Sequence, residues 1–444
     1  MKLFNTKTNA IETFVPIHEK QVSLYVCGPT VHDKAHIGNA RPLVVFDTLK
    51  KTLEALGYSV DYVSNYTDVD DRIIEKAQAE NIDETEYTEH YIDLYETLRQ
   101  NLGAHQPNAT PRVTETMEDI IQFIEALIEA GAAYEAEGDV YFSVDYIDNY
   151  GSLSHQNLEE LQVGSRVKEN VKKQNPLDFT LWKKTETGIA WPTRWSTGRP
   201  GWHTECVVMI NQHFKQPTID IHGGGQDLKF PHHENENAQQ EALHQHGLAN
   251  YWIHNAMVNI DGGEMHKSLG NAVDAQELID QLGSNVVRWL LISTHYRQVL
   301  NLTDQTITQA KAEIERIEQA LKSAQVTLLR QQFHSEEDLE LAFYPEFLSA
   351  MKDDLNTPNA IKIIFDAIKA LNASLRTREV NYHKVNSIMN EVYRMLNILG
   401  ISFKKIVLSA FDIELFDNWD KAKQNRDFER ADQIRAQLQA RGLL

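Results

Sequence analysis

Sulfur, positive charge and long apolar runs are all scarce in this chain. It has only two cysteines, Cys27 and Cys206, in 444 residues. A lone disulfide stabilises little at this length and does not persist in a reducing compartment, which argues against a disulfide-stapled secreted fold. No segment approaches the ~20 consecutive apolar residues needed to span a bilayer. The opening Met1-Lys2-Leu3-Phe4-Asn5-Thr6-Lys7 turns polar too early for a secretory leader, so the cytoplasm is the expected compartment. Against 64 Asp and Glu stand 43 Lys and Arg, a formal net charge of -21. Spread evenly, that charge repels polyanions, and a nucleic-acid partner requires local basic surface.

Two such surfaces are present. Residues 166–199 carry Arg166, Lys168, Lys172, Lys173, Lys183, Lys184, Arg194 and Arg199 against three acids, interleaved with Trp182, Trp191 and Trp195. Residues 421–444 hold six bases against three acids. Either stretch permits an RNA partner, and either also reads as a solvated face. A hydrophobic fraction of 42% supports a packed core, and the length implies several units rather than one.

Residues 22–28 read as a buried strand ending in a glycine turn, and 38–56 as a helix with Val45, Leu49, Leu53 and Leu56 on one stripe and Gly57 as its stop. Residues 58–65 read as the next strand. This opening predicts a doubly wound α/β sheet, with ligands at the carboxyl ends of the strands, where Cys27 lies. Beyond Pro111 the pattern changes to a helix over 115–130, a short strand over 139–144 and the basic segment, together read as an insertion. Strand signals resume at 219–222 and 251–260. From Val286 onward the stripes Ile314/Ile317/Leu321, Ile364/Ile368/Leu371 and Ile388/Val392/Met395/Ile398 predict a helical bundle. The expected organisation is a catalytic first half over 1–110, an insertion over 111–199, a second half over 200–285 and a helical region over 286–444.

Three constellations carry chemistry. In Thr30 to Ala40, His36, Gly38 and Asn39 stand where a loop feeds a helix, offering N–H donors and imidazole to a phosphate; by itself the same His reads as a cap. In the second, Pro231 is placed to start a helix running through Leu243. That helix sets His232 and Glu236 four apart on one face, and Cys27 and Cys206 complete a Cys₂-His-Glu set suited to zinc. Two buried thiols in a core remain the competing reading. The third is the glycine-flanked loop Asp261 to Asn271, whose Lys267 can neutralise a departing triphosphate; alone it reads equally as a surface loop.

Together these residues resemble the cysteinyl-tRNA synthetases, a class I aminoacyl-tRNA synthetase family. His36-Ile37-Gly38-Asn39 looks like the HIGH signature, and Glu264-Met265-His266-Lys267-Ser268 stands in the place of KMSKS. Tyr25 to Thr30, Asn65 to Asp71, Gly201 to Cys206, Phe230 to Glu236 and Asp353 to Pro358 also match, so the resemblance covers nearly the whole chain. It implies a monomer using L-cysteine, ATP with Mg²⁺ and tRNA(Cys), with one zinc held by Cys27, Cys206, His232 and Glu236 and taking the substrate thiolate. It further implies His36, Gly38, Asn39 and Lys267 at ATP, Thr67, Trp202 and His222 around the cysteine, and Asp227 on its ammonium. A thiolate–zinc contact rejects serine without an editing site.

Three features depart from the family pattern. Glu264 replaces a lysine and His266 a serine in the KMSKS-like loop, and a further short basic segment is expected beyond Leu444. These motivate two alternatives, a paralogue ligating cysteine to a small amine and a binding protein that holds cysteine or tRNA without catalysis. Retention of His36, Lys267 and the four candidate metal ligands favours the synthetase.

Overall fold

Apolar residues that run without alternation near the start of the chain form a strand covered on both faces, the property of a parallel sheet. The computed structural model describes residues 1–156, 172–264, 272–333, 335, 339 and 341–444. These fall into two compact units, Met1–Gln281 with Tyr296–Asn301, and Leu282–His295 with Leu302–Leu444.

In the first unit a hairpin of β1 (Lys2–Asn5) and β2 (Ala10–Thr13) precedes β3 (Gln21–Val26). α1 (Ile37–Ala55) returns the chain, and β4 (Ser59–Ser64) pairs parallel with β3. Gly57, at φ +84°, stops α1 in the left-handed conformation that a side chain resists. α2 (Asp71–Glu80), α3 (Glu84–Asn101) and α4 (Met117–Glu129) follow. An antiparallel sheet of order β5-β6-β7-β9-β8 comes next, from β5 (Ala133–Ala136), β6 (Asp139–Phe142), β7 (Phe179–Lys184), β8 (Trp191–Pro192) and β9 (Thr197–Pro200). Trp182 and Trp195 are buried here, packed edge to face with centroids 6.0 Å apart. They serve the core, and neither offers a ring to a base.

After α5 (Trp202–Phe214), β10 (Ile219–Gly225) joins the parallel sheet on the other side of β3. α6 (Glu234–His244) then leads to β11 (Ala249–Asn255), and the sheet order is β11-β10-β3-β4. β3 continues outward to β4 while β10 continues outward to β11, so the strand order reverses between β3 and β10. A crevice opens at their carboxyl ends, the usual ligand position in such sheets.

Two local expectations need correction. The helix expected from Pro231 becomes regular only at Glu234. Phe230 is extended (φ −139°, ψ 135°), as a residue before proline is pushed to be, and Lys229–His233 makes a wide turn. The strand expected over 251–260 is two, β11 and β12 (Val258–Ile260), broken at Ala256–Met257.

The second unit is helical. The stripes of Asp304–Arg330, Thr357–Leu375 and Tyr382–Leu399 are all buried, Ile317, Ile368 and Val392 completely. Asp353 to Asn356 is the turn between Phe343–Lys352 and Thr357–Leu375, Thr357 and Pro358 open the second helix, and the Asn356 side chain caps it through Asn359 N–H. Helices Ala410–Gln424 and Phe428–Ala440 form a hairpin over Leu415, Phe416, Ile434 and Leu438. Arg441 and the Ser409 hydroxyl hold the Asp412 carboxyl at about 2. Because that value lies below the ordinary ~3.9, the stabilisation is present above about pH 4 and is lost as pH falls toward 2. Arg441→Gln is expected to speed amide exchange in both hairpin helices at pH 6. The wild-type advantage should shrink between pH 4 and 2, and an advantage undiminished there would remove the ion pair as its cause.

Candidate active site

Three stretches of chain deliver their side chains to the crevice. Cys27 follows the last residue of β3, and its N–H bonds to Gly223 O of β10 at 3.1 Å. Cys206 lies in α5, one turn after His203, so both share a face of that helix. His232 sits in the wide turn and Glu236 in the first turn of α6.

Their donor atoms converge. Cys27 Sγ lies 3.6 Å from Cys206 Sγ, 3.6 Å from His232 Nε2 and 3.5 Å from Glu236 Oε1, and Cys206 Sγ lies 3.8 Å from His232 Nε2. The sulfur separation is far too long for a disulfide. It fits a metal: a tetrahedron with Zn–S arms of ~2.3 Å and Zn–N arms of ~2.0 Å has edges of roughly 3.5–3.8 Å. A fifth edge, His232 Nε2 to Glu236 Oε1, is 2.8 Å, a hydrogen bond that metal binding would open. A second tetrad, Cys27, His222, His233 and Glu236, also converges within 4.8 Å. The first has two thiols, the softer donor pair, and is the better zinc set.

Charge is distributed accordingly. Cys206 is drawn down to about 6 by the hydrogen bond from Cys27 and by His232, while burial pushes the Cys27 thiol up. Burial opposes a charge on His232, but the Glu236 carboxylate and Cys206 raise it to about 10. Glu236 is held well below the usual carboxylate range by His232 and His222, against the cost of burial. The neighbours thus favour charge on Cys206, His232 and Glu236, and a cation bound at His232 Nε2 competes with the proton there.

Histidines that no periodicity singles out hold this set in place. His222 Nε2 bonds Glu236 Oε2 at 2.6 Å, and its ring stacks on Trp252 with centroids 4.6 Å apart. His203 Nδ1 meets His232 Nδ1 at 3.0 Å, and burial holds His203 down at about 3. His233 Nε2 reaches Cys27 Sγ at 3.4 Å, and its Nδ1 meets His254 Nε2 at 2.8 Å. The available signal was the placing of His203 one turn before Cys206, within a stretch already marked as chemical.

A cavity of about 370 Å³ opens at Cys27, lined also by Trp202 and Asp227 and by His36, Gly38 and Asn39. His36 caps α1: its Nδ1 accepts from Gly38 N–H at 3.1 Å, and its own N–H bonds Asn39 Oδ1 at 3.2 Å. The cap leaves the ring proton on Nε2. Trp202 stacks on His232 with centroids 4.2 Å apart. Thr67 and His222 are buried behind this wall: Thr67 Oγ1 bonds Glu205 Oε2 at 3.2 Å, and His222 supports Glu236. Met265, His266, Lys267 and Ser268 lie outside the described residues, as do Arg166 and Lys168.

Residues 13–312 match the family of tRNA synthetases class I (C) catalytic domain, and residues 346–404 match the DALR domain. The chain is 43% identical to the cysteine–tRNA ligase of Oceanobacillus iheyensis, covering 100% of this chain and 97% of the relative. To that of Geobacillus thermodenitrificans it is 42% identical, covering 100% and 96%. Among solved structures, Mycobacterium tuberculosis methionyl-tRNA synthetase in complex with methionyl-adenylate aligns with a TM-score of 0.65 at 12% identity, over 85% of this chain and 89% of that one. That likeness supports the fold alone.

Proposed function

The chain belongs to the class I cysteine–tRNA ligases, and from that premise we propose that the cavity at the carboxyl ends of β3 and β10 is where cysteine is activated. The enzyme activates L-cysteine with ATP and passes the cysteinyl group to tRNA(Cys). One observation carries the site assignment: the Cys27, Cys206, His232 and Glu236 donors lie within 4.8 Å of one another, and Cys27 shares a cavity with the N-terminus of α1. A zinc ion held by these four residues supplies a soft Lewis acid that favours a thiol over a hydroxyl. Asp227, at the rim, is suited to the substrate ammonium, and Trp202 covers the thiol end.

The cysteine carboxylate attacks the α-phosphorus of ATP; an oxygen–phosphorus bond forms, and pyrophosphate leaves with the electrons of the broken bond. The nucleophile is already ionised, so no general base is needed and positioning with charge stabilisation does the catalysis. The phosphates are assigned to His36, Gly38 and Asn39, which line the cavity at the start of α1, and the leaving pyrophosphate to Lys267. A terminal ribose hydroxyl of the tRNA then attacks the acyl carbon and AMP departs. Anticodon recognition is assigned to the helical second unit. Among the described residues no helix is long and apolar enough to cross a membrane.

Full-length likeness to cysteine–tRNA ligases favours tRNA over a small amine as acceptor. With labelled cysteine and ATP, the wild-type protein is expected to charge tRNA(Cys), and Glu264→Lys to charge it at least as fast. Cysteine-dependent pyrophosphate exchange with no charging by either protein would overturn the acceptor assignment.

A further inference from the structure

Arg41 is fully buried in the second turn of α1, where the two terminal nitrogens of its guanidinium are taken by backbone carbonyls. Its Nη1 donates to Ala256 O and Met257 O, both at 2.7 Å, and its Nη2 donates to Gln298 O at 2.7 Å. Burial lowers its pKa to about 10, which leaves it cationic at neutral pH. The accepting carbonyls belong to two stretches, the break between β11 and β12 and the segment 296–301. Those stretches are themselves joined by Ala256 N–H to Tyr296 O at 2.8 Å and Leu300 N–H to Met257 O at 3.1 Å.

The placement relates directly to the cavity. Asn255, Ala256, Met257 and Val258 form one wall, while His36 and Asn39, at the start of the helix that bears Arg41, form another. A single side chain therefore links both walls. Its planar fork serves carbonyls from two separate stretches of chain at once, which one ammonium on a flexible stem cannot reproduce with the same geometry. We propose that Arg41 is a positioning residue that sets the gap between the N-terminus of α1 and the 255–258 wall, and thereby the affinity for ATP. The proposal rests on the reading of this cavity as the ATP site.

The test is pyrophosphate exchange with the full chain as wild type, Arg41→Lys and Arg41→Met, varying ATP and cysteine separately. Wild-type exchange comes first; if it fails, the site reading falls before any variant is compared. The KM for ATP is expected to rise about tenfold in Arg41→Lys and further in Arg41→Met, with the KM for cysteine within about twofold and the zinc content unchanged. Amide exchange at residues 255–260 should quicken in parallel. Equal increases in both KM values, or no change in either, would overturn the proposal. So would an unfolded Arg41→Lys, because it would assign the guanidinium to the stability of the whole unit rather than to one wall.

Discussion

Cys206→Ser is expected to lose the zinc proposed for the tetrad and to lower kcat/KM for cysteine in pyrophosphate exchange by roughly 10³-fold or more. The substitution nearly conserves volume at a residue 1% exposed, so packing alone predicts a small effect. The chemistry predicts a large one. The hydrogen bond from Cys27 and the neighbouring His232 draw the Cys206 thiol below its ordinary value, and Cys206 in turn helps raise His232. A serine hydroxyl stays neutral there and ligates zinc poorly. The charge complementarity of the tetrad is then lost together with the selectivity for a thiol. Metal analysis of protein purified without chelators, alongside exchange kinetics and circular dichroism, reads the outcome. A folded variant that keeps one zinc and wild-type kcat/KM would return both cysteines to the role of core thiols.

Gly28→Ala should be the most damaging single methyl in the catalytic unit. A Cβ at this position would fall 1.7 Å from Asn65 O and 2.8 Å from Asn65 C, both backbone atoms that no rotamer change can move. Gly28 N–H also bonds Asn65 Oδ1 at 2.9 Å, so the chain leaving β3 is held tightly against the chain leaving β4. Relieving the clash means parting those two segments, which shifts Cys27 next door. We expect a loss of about 3 kcal/mol or more, seen as a lower urea midpoint or as insoluble protein. Gly57→Ala is the control. It meets nothing within 4 Å and pays only for its φ of +84°, about 1 kcal/mol. Equal stability of the two variants would contradict the close approach at Asn65.

Much of this protein is legible along the chain because the governing interactions are local. The stripe of α1, its stop at Gly57 and the buried faces of the three long helices in the second unit follow from a 3.6-residue period and from backbone sterics. The pairing of His232 with Glu236 follows from a spacing of four and survives even though the regular helix begins at Glu234. The quoted motifs, read together, were enough to indicate the family. Tertiary structure alone decided that Cys27 and Cys206 meet at 3.6 Å although 179 residues separate them. It also decided that His222 braces Glu236 from behind the cavity, and that Trp182 and Trp195 are core rather than surface. The break at Ala256–Met257, whose carbonyls Arg41 takes, is of the same kind. Periodicity states which face of an element is buried and is silent about which distant element covers it. Partners for buried charges and thiols are settled only when sheet order brings β3 and β10 side by side.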